Sequence, residues 1–155
     1  MEATVRKGTI EDLPQVLDLI HELALYEKAP QEVTNTVEKM QQDGFGPNPV
    51  FGLFVAEAEG KIKGIAIYYI KYSTWKGKCV FLEDLIVTES WRGKGIGRIL
   101  FEEVVKVSRE MSAPRMEWQV LEWNTPAINF YKKFNATLDP EWLNGKLTLE
   151  QINAL

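Results

Sequence analysis

The sequence is poor in the residues that build disulfide frameworks and metal clusters. It has one cysteine, Cys79, and one histidine among 155 residues. A single cysteine excludes an internal disulfide, and one cysteine with one histidine excludes a zinc cluster built from these ligands. We therefore expect no metal site, and this cysteine usage fits a reducing, cytoplasmic setting. We expect Cys79 to be a buried strand residue with no catalytic role.

Long apolar runs are also absent. No run approaches the ~20 residues that a membrane-spanning helix needs. The N-terminal residues MEATVRKGTIEDL contain no apolar segment of the kind found in signal peptides. The formal net charge is −4, which disfavours nucleic acid as the main partner because phosphate backbones select basic surfaces. We expect neither a membrane nor a nucleic-acid partner.

What the chain does contain is the composition of an ordinary globular protein. Hydrophobic residues make up 45% and charged residues 26% of the sequence. A length of 155 residues favours one domain over residues 1–155, and no internal repeat or linker interrupts it.

Apolar periodicity and turn residues predict a mixed α/β chain. A capping box of Thr9 and Asp12 precedes a helix that we expect to reach Tyr26. Further helices are expected over 34–42, after the glycine-rich stretch as far as Pro114, and over PAINFYKKF, while GFGPNP (44–49) is expected to be a loop. Strands are expected over 4–7, 50–59, 61–72, 79–87 and 114–121, with one or two more in the tail and a last capping box at Thr148 and Gln151.

The order of these elements indicates how the sheet is connected. Consecutive strands between residues 50 and 87 predict antiparallel pairing, and the strand–helix–strand crossover over 79–121 predicts a parallel pair. The expected fold class is therefore α/β, with a mixed sheet and helices on its faces.

The segment WRGKGIGR (91–98) places three glycines among basic residues between a strand and a helix. Helix N-terminal amides bind phosphate, and glycine lets the backbone approach the anion closely. A P-loop requires Ser or Thr after Gly-Lys, but Gly95 follows Gly93-Lys94, and the Rossmann spacing also fails. A nucleotide-binding module is therefore disfavoured. On spacing alone, a glycine turn that serves only packing stays open.

The run Arg92-Gly93-Lys94-Gly95-Ile96-Gly97 matches the R/Q-x-x-G-x-G/A diphosphate loop of the GNAT acetyltransferase superfamily. With FLEDLIV (81–87), LEWNTPAINFYKKFNA (121–136), LALYE (23–27) and DGFGPNP (43–49), the chain resembles the spermidine/spermine (diamine) N-acetyltransferase branch over nearly its whole length. The resemblance implies the GNAT fold, a mostly antiparallel sheet with one splayed parallel pair and helices on both faces. It also implies acetyl-CoA as co-substrate and a homodimer.

The resemblance assigns the acetyl-CoA contacts to two groups of residues. They are the strand and loop residues Leu85, Ile86, Val87, Arg92, Gly93, Lys94, Gly95, Ile96, Gly97 and Arg98, and the later residues Asn124, Ala127, Tyr131 and Lys133. In this family the strand backbone pairs with the pantetheine arm and the loop amides hold the diphosphate. Asn124 would bond the pantetheine, cap its helix, or do both.

The chemistry that the resemblance implies is acyl transfer from a thioester to an amine. A primary amine with a pKa near ~10 must lose a proton before it attacks, and the leaving thiolate benefits from an acid. The resemblance assigns proton acceptance, through water, to Glu83 and the acid role to Tyr131. Regular alternation would send Asp84 to the opposite face from Glu83, but a bulge, which the family has in this strand, would let both contribute.

The substrate contacts implied by the resemblance are Tyr26, Glu27, Glu83, Asp84 and Trp123, whose carboxylates would attract a cationic amine. Ser73 stands where the family has an aspartate. Spermidine and spermine, a shorter diamine, a lysine analogue such as thialysine and another small amine therefore all stay open. We predict an N-acetyltransferase for a small cationic amine. The alternatives are a GNAT enzyme for a protein or amino-acid amine and a non-catalytic acyl-CoA-binding sensor.

Overall fold

A computed structural model describes residues 2–155. The chain divides into two units, one that ends at Gln119 and one over Val120–Leu155. The first unit contains strands β1 (Thr4–Lys7), β2 (Gly52–Ala58), β3 (Lys61–Ser73), β4 (Gly77–Val87) and β5 (Met116–Trp118), and helices α1 (Leu13–Tyr26), α2 (Val37–Phe45) and α3 (Ile96–Glu110). The second contains α4 (Thr125–Lys132) and α5 (Leu149–Asn153). No helix within residues 2–155 has the length and apolar character needed to cross a membrane.

The five strands form one sheet in the order β1-β2-β3-β4-β5. The first three pairings are antiparallel, and β4 pairs with β5 in parallel. The parallel pairing covers Val80–Leu82, and its β5 partners end at Trp118. The predicted mixed sheet with a single parallel pair is confirmed.

Helices of the first unit cover both faces of this sheet. Ile65 and Ile67 of β3 pack in one core with Leu13 and Val16 of α1. Gly64, one residue earlier in the strand, points the other way. A Cβ at Gly64 would lie 3.0 Å from a Leu100 methyl carbon of α3, so a larger residue there would require Leu100 to shift. The fully buried Leu13 and Ile65 each contribute about 1.5–3 kcal/mol through removal from water.

The start of α1 is fixed by the predicted capping box and by a partly buried ion pair. The Thr9 N–H donates to Asp12 Oδ2 over 2.7 Å, in a single 3-10 turn that leads into α1. The Arg6 guanidinium donates to both Asp12 carboxylate oxygens, at 2.8 and 3.0 Å, and to Glu57 Oε1 at 2.7 Å. The hydrogen bond from Arg6 is the main reason that the pKa of Asp12 lies below its ordinary value. The expected end of α1 at Tyr26 is confirmed.

The expected second helix over 34–42 was misplaced by three residues. Thr36 is the N-cap, because its Oγ1 accepts the Lys39 N–H at 3.2 Å. The helix therefore begins at Val37 and continues to Phe45, into the segment 44–49 expected to be a loop. The cap selects the later of two threonines, which apolar periodicity alone does not distinguish.

The predictions for the late strands were also wrong. The expected strand over 114–121 is reduced to Met116–Trp118, because the β4 residue after Leu82 departs from regular pairing and the shared ladder ends there. No strand occurs among residues 135–155. Pro140 lacks an N–H and Gly145 weakens an extended segment, so strand pairing is disfavoured there. The capping box of Thr148 and Gln151 is confirmed, and it opens α5.

Candidate active site

The irregularity in β4 is a bulge at Glu83. Asp84 lies opposite Ile67 and Leu82 lies opposite Tyr68, so Glu83 is the one residue without a partner in β3. Residues opposite each other in a ladder share a face, which places Asp84 on the Ile67 face that α1 covers. The charge of Glu83 acts on Asp84 and also on Tyr69. The bulge therefore brings the Glu83 and Asp84 carboxylates to one region. This is the arrangement expected if the strand contains a bulge.

Three carboxylates meet at this point. Burial raises the pKa of Asp84, and the neighbouring charges of Glu83 and Glu27 raise it further, to about 7. Glu27 follows the last residue of α1, and burial raises its pKa as well. Glu83 itself is exposed. A carboxylate with a pKa near neutrality can both take up and release a proton under physiological conditions.

Arg92 joins the C-terminal ends of α1 and β4 to the glycine loop. Its Nε donates to the Val87 carbonyl oxygen at 2.9 Å. Its guanidinium carbon lies 5.3 Å from the centre of the Tyr26 ring, in a cation–π contact. Tyr26 is the neighbour of Glu27, so this arginine fixes the loop beside the carboxylate cluster. Of the predicted substrate residues, Tyr26, Glu27, Glu83 and Asp84 are thus held by α1, β4 and the loop.

The glycine loop has the geometry of an anion site. Gly93 and Gly95 have φ angles of 75° and 82°, and a Cβ on either would meet no atom within 4 Å. Gly95 is the N-cap of α3 and has no side chain that could cap the first amides. The Ile99 N–H donates to the Gly95 carbonyl oxygen at 3.2 Å, so the amides of Ile96 and Gly97 lie in the turn before it, where helix amides have no intrahelical acceptor. These residues fit the diphosphate of acetyl-CoA.

Basic and aromatic side chains surround the same loop. The ammonium groups of Lys94 and Lys63 lie 4.9 and 5.2 Å from the Trp91 ring centre. The Arg98 side chain forms an ion pair with Glu102, with an Nε–Oε1 distance of 2.7 Å. Lys63 and Trp91 were not among the predicted site residues. Trp91 stands next to the loop and could have been noticed, whereas Lys63 arrives from β3 and gives no local signal.

The final part of β4 contains the three residues predicted to bind pantetheine. Leu85, Ile86 and Val87 pair with β3 on one side. On the other side, the register with β5 stops at Leu82. The ladder with β5 therefore ends three residues before Leu85, the first of the predicted pantetheine-binding residues.

The remaining predicted residues belong to the second unit. Asn124 is buried and its Oδ1 accepts the Ala127 N–H at 3.4 Å, so Asn124 caps α4. Tyr131 is 8% exposed, and its ring centre lies 5.3 Å from that of Phe130. Trp123 and Lys133 are exposed. The cap at Asn124 is one of its two expected uses, and the catalytic role of Tyr131 stays a prediction.

Residues 14–136 match the Acetyltransferase (GNAT) family. This chain belongs to that family. A thialysine N-epsilon-acetyltransferase from Mus musculus is 35% identical over 162 aligned residues that cover 97% of this chain and 95% of the relative. A spermidine/spermine N(1)-acetyltransferase-like protein 1 from Homo sapiens is 34% identical over 82% of this chain and 19% of that protein. The predicted family and its diamine branch are confirmed.

Solved structures support the same fold. An aminoglycoside N-acetyltransferase AAC(6')-Iy, solved in complex with CoA, superposes with a TM-score of 0.74 and covers 94% of both chains. Its sequence identity is 18%, so the likeness concerns the fold alone.

Proposed function

We propose that this protein transfers an acetyl group from acetyl-CoA to a primary amine of a small cationic substrate, such as a diamine, a polyamine or a lysine analogue like thialysine. The observation that carries the proposal is the cluster formed by Glu27, at the end of α1, with Glu83 and Asp84 of β4, the strand that leads into the glycine loop. Negative charge at this point attracts an ammonium group, and the loop is suited to a diphosphate. The names of the relatives favour a small amine over a protein amine or a non-catalytic sensor.

Asp84 and Glu83 would share the task of activating the amine. An ammonium with a pKa near ~10 must lose its proton before nitrogen can attack a carbonyl carbon. Asp84, whose pKa is raised to about 7, is about half ionised at neutral pH and is a matched acceptor for that proton. Glu83 is exposed at the bulge and would bind the ammonium and pass the proton toward water.

The co-substrate would be held by backbone more than by side chains. Acetyl-CoA supplies an activated acyl thioester when it is bound. The amides of Gly93, Lys94, Gly95, Ile96, Gly97 and Arg98 would bind its diphosphate, and Leu85, Ile86 and Val87 would bind its pantetheine arm, together with Arg92, Asn124, Ala127 and Lys133. The Tyr131 hydroxyl would donate a proton to the departing sulfur. Trp123 would border the amine.

The assembly and location of the protein are part of the same proposal. We propose that residues 1–155 work as one acetyltransferase domain, since residues of both units are assigned to one reaction. We propose a homodimer, on the resemblance to the diamine branch, and a cytoplasmic location, on the single buried cysteine.

A turnover screen with acetyl-CoA tests the proposal. Release of free thiol would be measured with propane-1,3-diamine, putrescine, cadaverine, spermidine, spermine, thialysine, lysine and an aminoglycoside. We expect turnover with at least one small diamine or lysine analogue, and acetylated product by mass spectrometry. The matched control is Gly95→Glu, which should lose turnover with every amine. Binding of acetyl-CoA without turnover of any amine would refute the enzyme and favour a sensor.

A further inference from the structure

A fourth carboxylate, Glu117, lies on the same face of the sheet and is already occupied by cations of this chain. Lys71 Nζ lies 3.0 Å from Glu117 Oε1, and Arg115 Nε lies 2.8 Å from Glu117 Oε2. Arg115 also donates to Ser73 Oγ at 3.3 Å. The Lys71 and Arg115 side chains are each 44% exposed and that of Glu117 is 23% exposed. Two cations against one carboxylate leave an excess of positive charge here.

Aromatic side chains connect this ion-pair cluster to the proposed amine site. Tyr69 of β3 lies opposite Phe81 of β4, and their ring centres are 5.1 Å apart. The Lys71 ammonium lies 5.4 Å from the centre of the Phe81 ring. Burial raises the pKa of the Tyr69 phenol, and the charges of Glu83 and Glu117 raise it further while Lys71 opposes them. Tyr69 is therefore within electrostatic reach of both acids, and we call Tyr69, Phe81, Lys71 and Glu117 the hairpin platform.

The hairpin platform has a length that can be compared with amines. Glu117 is in register with Phe81. Phe81 lies opposite Tyr69 and Asp84 lies opposite Ile67, so the bulge at Glu83 leaves the two acids two ladder positions apart, which is about 7 Å at a rise of about 3.3 Å per residue. An extended chain advances about 1.2 Å per bond. The two nitrogens of propane-1,3-diamine are therefore about 5 Å apart, and the terminal nitrogens of spermidine about 11 Å. Only the longer amine can span from Asp84 to Glu117.

We propose that Lys71 determines specificity by binding Glu117 in the place that the distal ammonium of a triamine would take. The inference rests on the proposed function and names its substrate class, short diamines and amines of similar length. A triamine bound at Asp84 would direct its distal ammonium toward Lys71 and Arg115, which repel it. A short diamine ends before it reaches them and binds without this penalty.

The test compares two amines on three variants. Lys71→Gln removes the ammonium and frees Glu117 Oε1, so we expect kcat/KM for spermidine, relative to that for propane-1,3-diamine, to rise about fivefold, the range of one exposed ion pair. Lys78→Gln is the matched control, because Lys78 is exposed on the same hairpin and alternation from Phe81 places it on the opposite face. It should leave the ratio unchanged. Lys71→Gln combined with Glu117→Gln should return the ratio to the wild-type value.

The results separate this inference from the proposed function. The role of Lys71 would be overturned if kcat/KM rose equally for both amines, so that their ratio stayed unchanged. It would also be overturned if the raised ratio persisted in the double variant. Wild-type protein that acetylates neither amine nor any other in the screen would overturn the proposed function, and the role of Lys71 with it. If the wild-type enzyme acetylates diamines but Lys71→Gln does not alter selectivity, the proposed function is retained. Only the role of Lys71 in specificity is then rejected.

Discussion

Replacing Asp84 with asparagine should stabilise the protein at neutral pH. The pKa of Asp84 is raised from 3.8 to about 7, and each unit corresponds to about 1.36 kcal/mol. The shift of about 3 units is thus worth at most about 4 kcal/mol against the charged form. Asp84 keeps partial solvent access, and part of the penalty belongs to its acidic neighbours. We therefore expect Asp84→Asn to raise the free energy of unfolding by about 2 kcal/mol at pH 8.

The pH dependence gives the sign of the effect. Because the folded state holds the proton more tightly than the unfolded chain, folding is favoured by protonated Asp84. The wild-type protein loses this stability as the pH rises from 3.8 to about 7, and the loss is complete above that interval. The advantage of Asp84→Asn should be absent below pH 4, grow through the interval and stay constant above pH 7.

Thermal and urea unfolding between pH 3.5 and 8.5 would measure this difference. At about 2–4 °C per kcal/mol for a chain of this size, the melting temperature of Asp84→Asn should exceed wild type by about 4–8 °C at pH 8. Asp43→Asn, at an exposed helix residue, is the matched control and should show no such pH-dependent gain. A difference that is flat across the pH range, or an Asp84→Asn protein less stable at pH 8, would refute the buried-carboxylate argument. Turnover should fall in the same variant, since the amide cannot accept the proton.

Three further changes test the rest of the site. Tyr131→Phe should lower kcat about 10²-fold while acetyl-CoA affinity stays within about twofold, measured by turnover and calorimetry, and unchanged kcat would remove the acid role. Gly95→Glu should abolish acetyl-CoA binding, because it places a carboxylate at the proposed diphosphate site and a side chain at a φ of 82°. Gly95→Ala carries the strain without the charge and should keep more affinity. Retained affinity in Gly95→Glu would contradict the loop's role. Glu27→Gln removes a charge that raises the pKa of Asp84, so the ascending limb of kcat/KM against pH should move to lower pH. A limb that stays in place would show that Glu27 does not act on the titrating group.

The fold was predictable where one local signal decided it. The Thr9–Asp12 box, the end of α1 at Tyr26 and the cap at Asn124 each depend on residues within one turn, and each was confirmed. The strand over 114–121 failed because its length depends on where β4 leaves the ladder, and β4 is distant in sequence. The choice of Thr36 over Thr34 as cap depends on which threonine meets a free amide, which periodicity does not show.

The candidate site divides in the same way. Gly93 and Gly95 are visible in the sequence because their positive φ angles favour glycine, and the motif contains both. The raised pKa of Asp84 was not predictable, since it arises first from burial, then from the charge of the adjacent Glu83, and then from that of Glu27, which is 57 positions away in the chain. The pairing of Lys71 with Glu117 spans 46 positions, and neither residue stands in a recognisable motif.

Because Glu83 is an extra residue in β4, the number of residues in this strand determines the position of the carboxylates as much as residue identity does. Deleting Leu82 while keeping both acids would restore strict alternation, because Glu83 would then pair with Tyr68 and its carboxylate would turn to the face that α3 covers. Relatives that replace both acids but keep the number of residues in β4 would preserve the shape of the cleft. Relatives that keep both acids but have one residue fewer in β4 would not. Insertions and deletions in this strand are therefore expected to separate active from inactive family members more sharply than substitutions do.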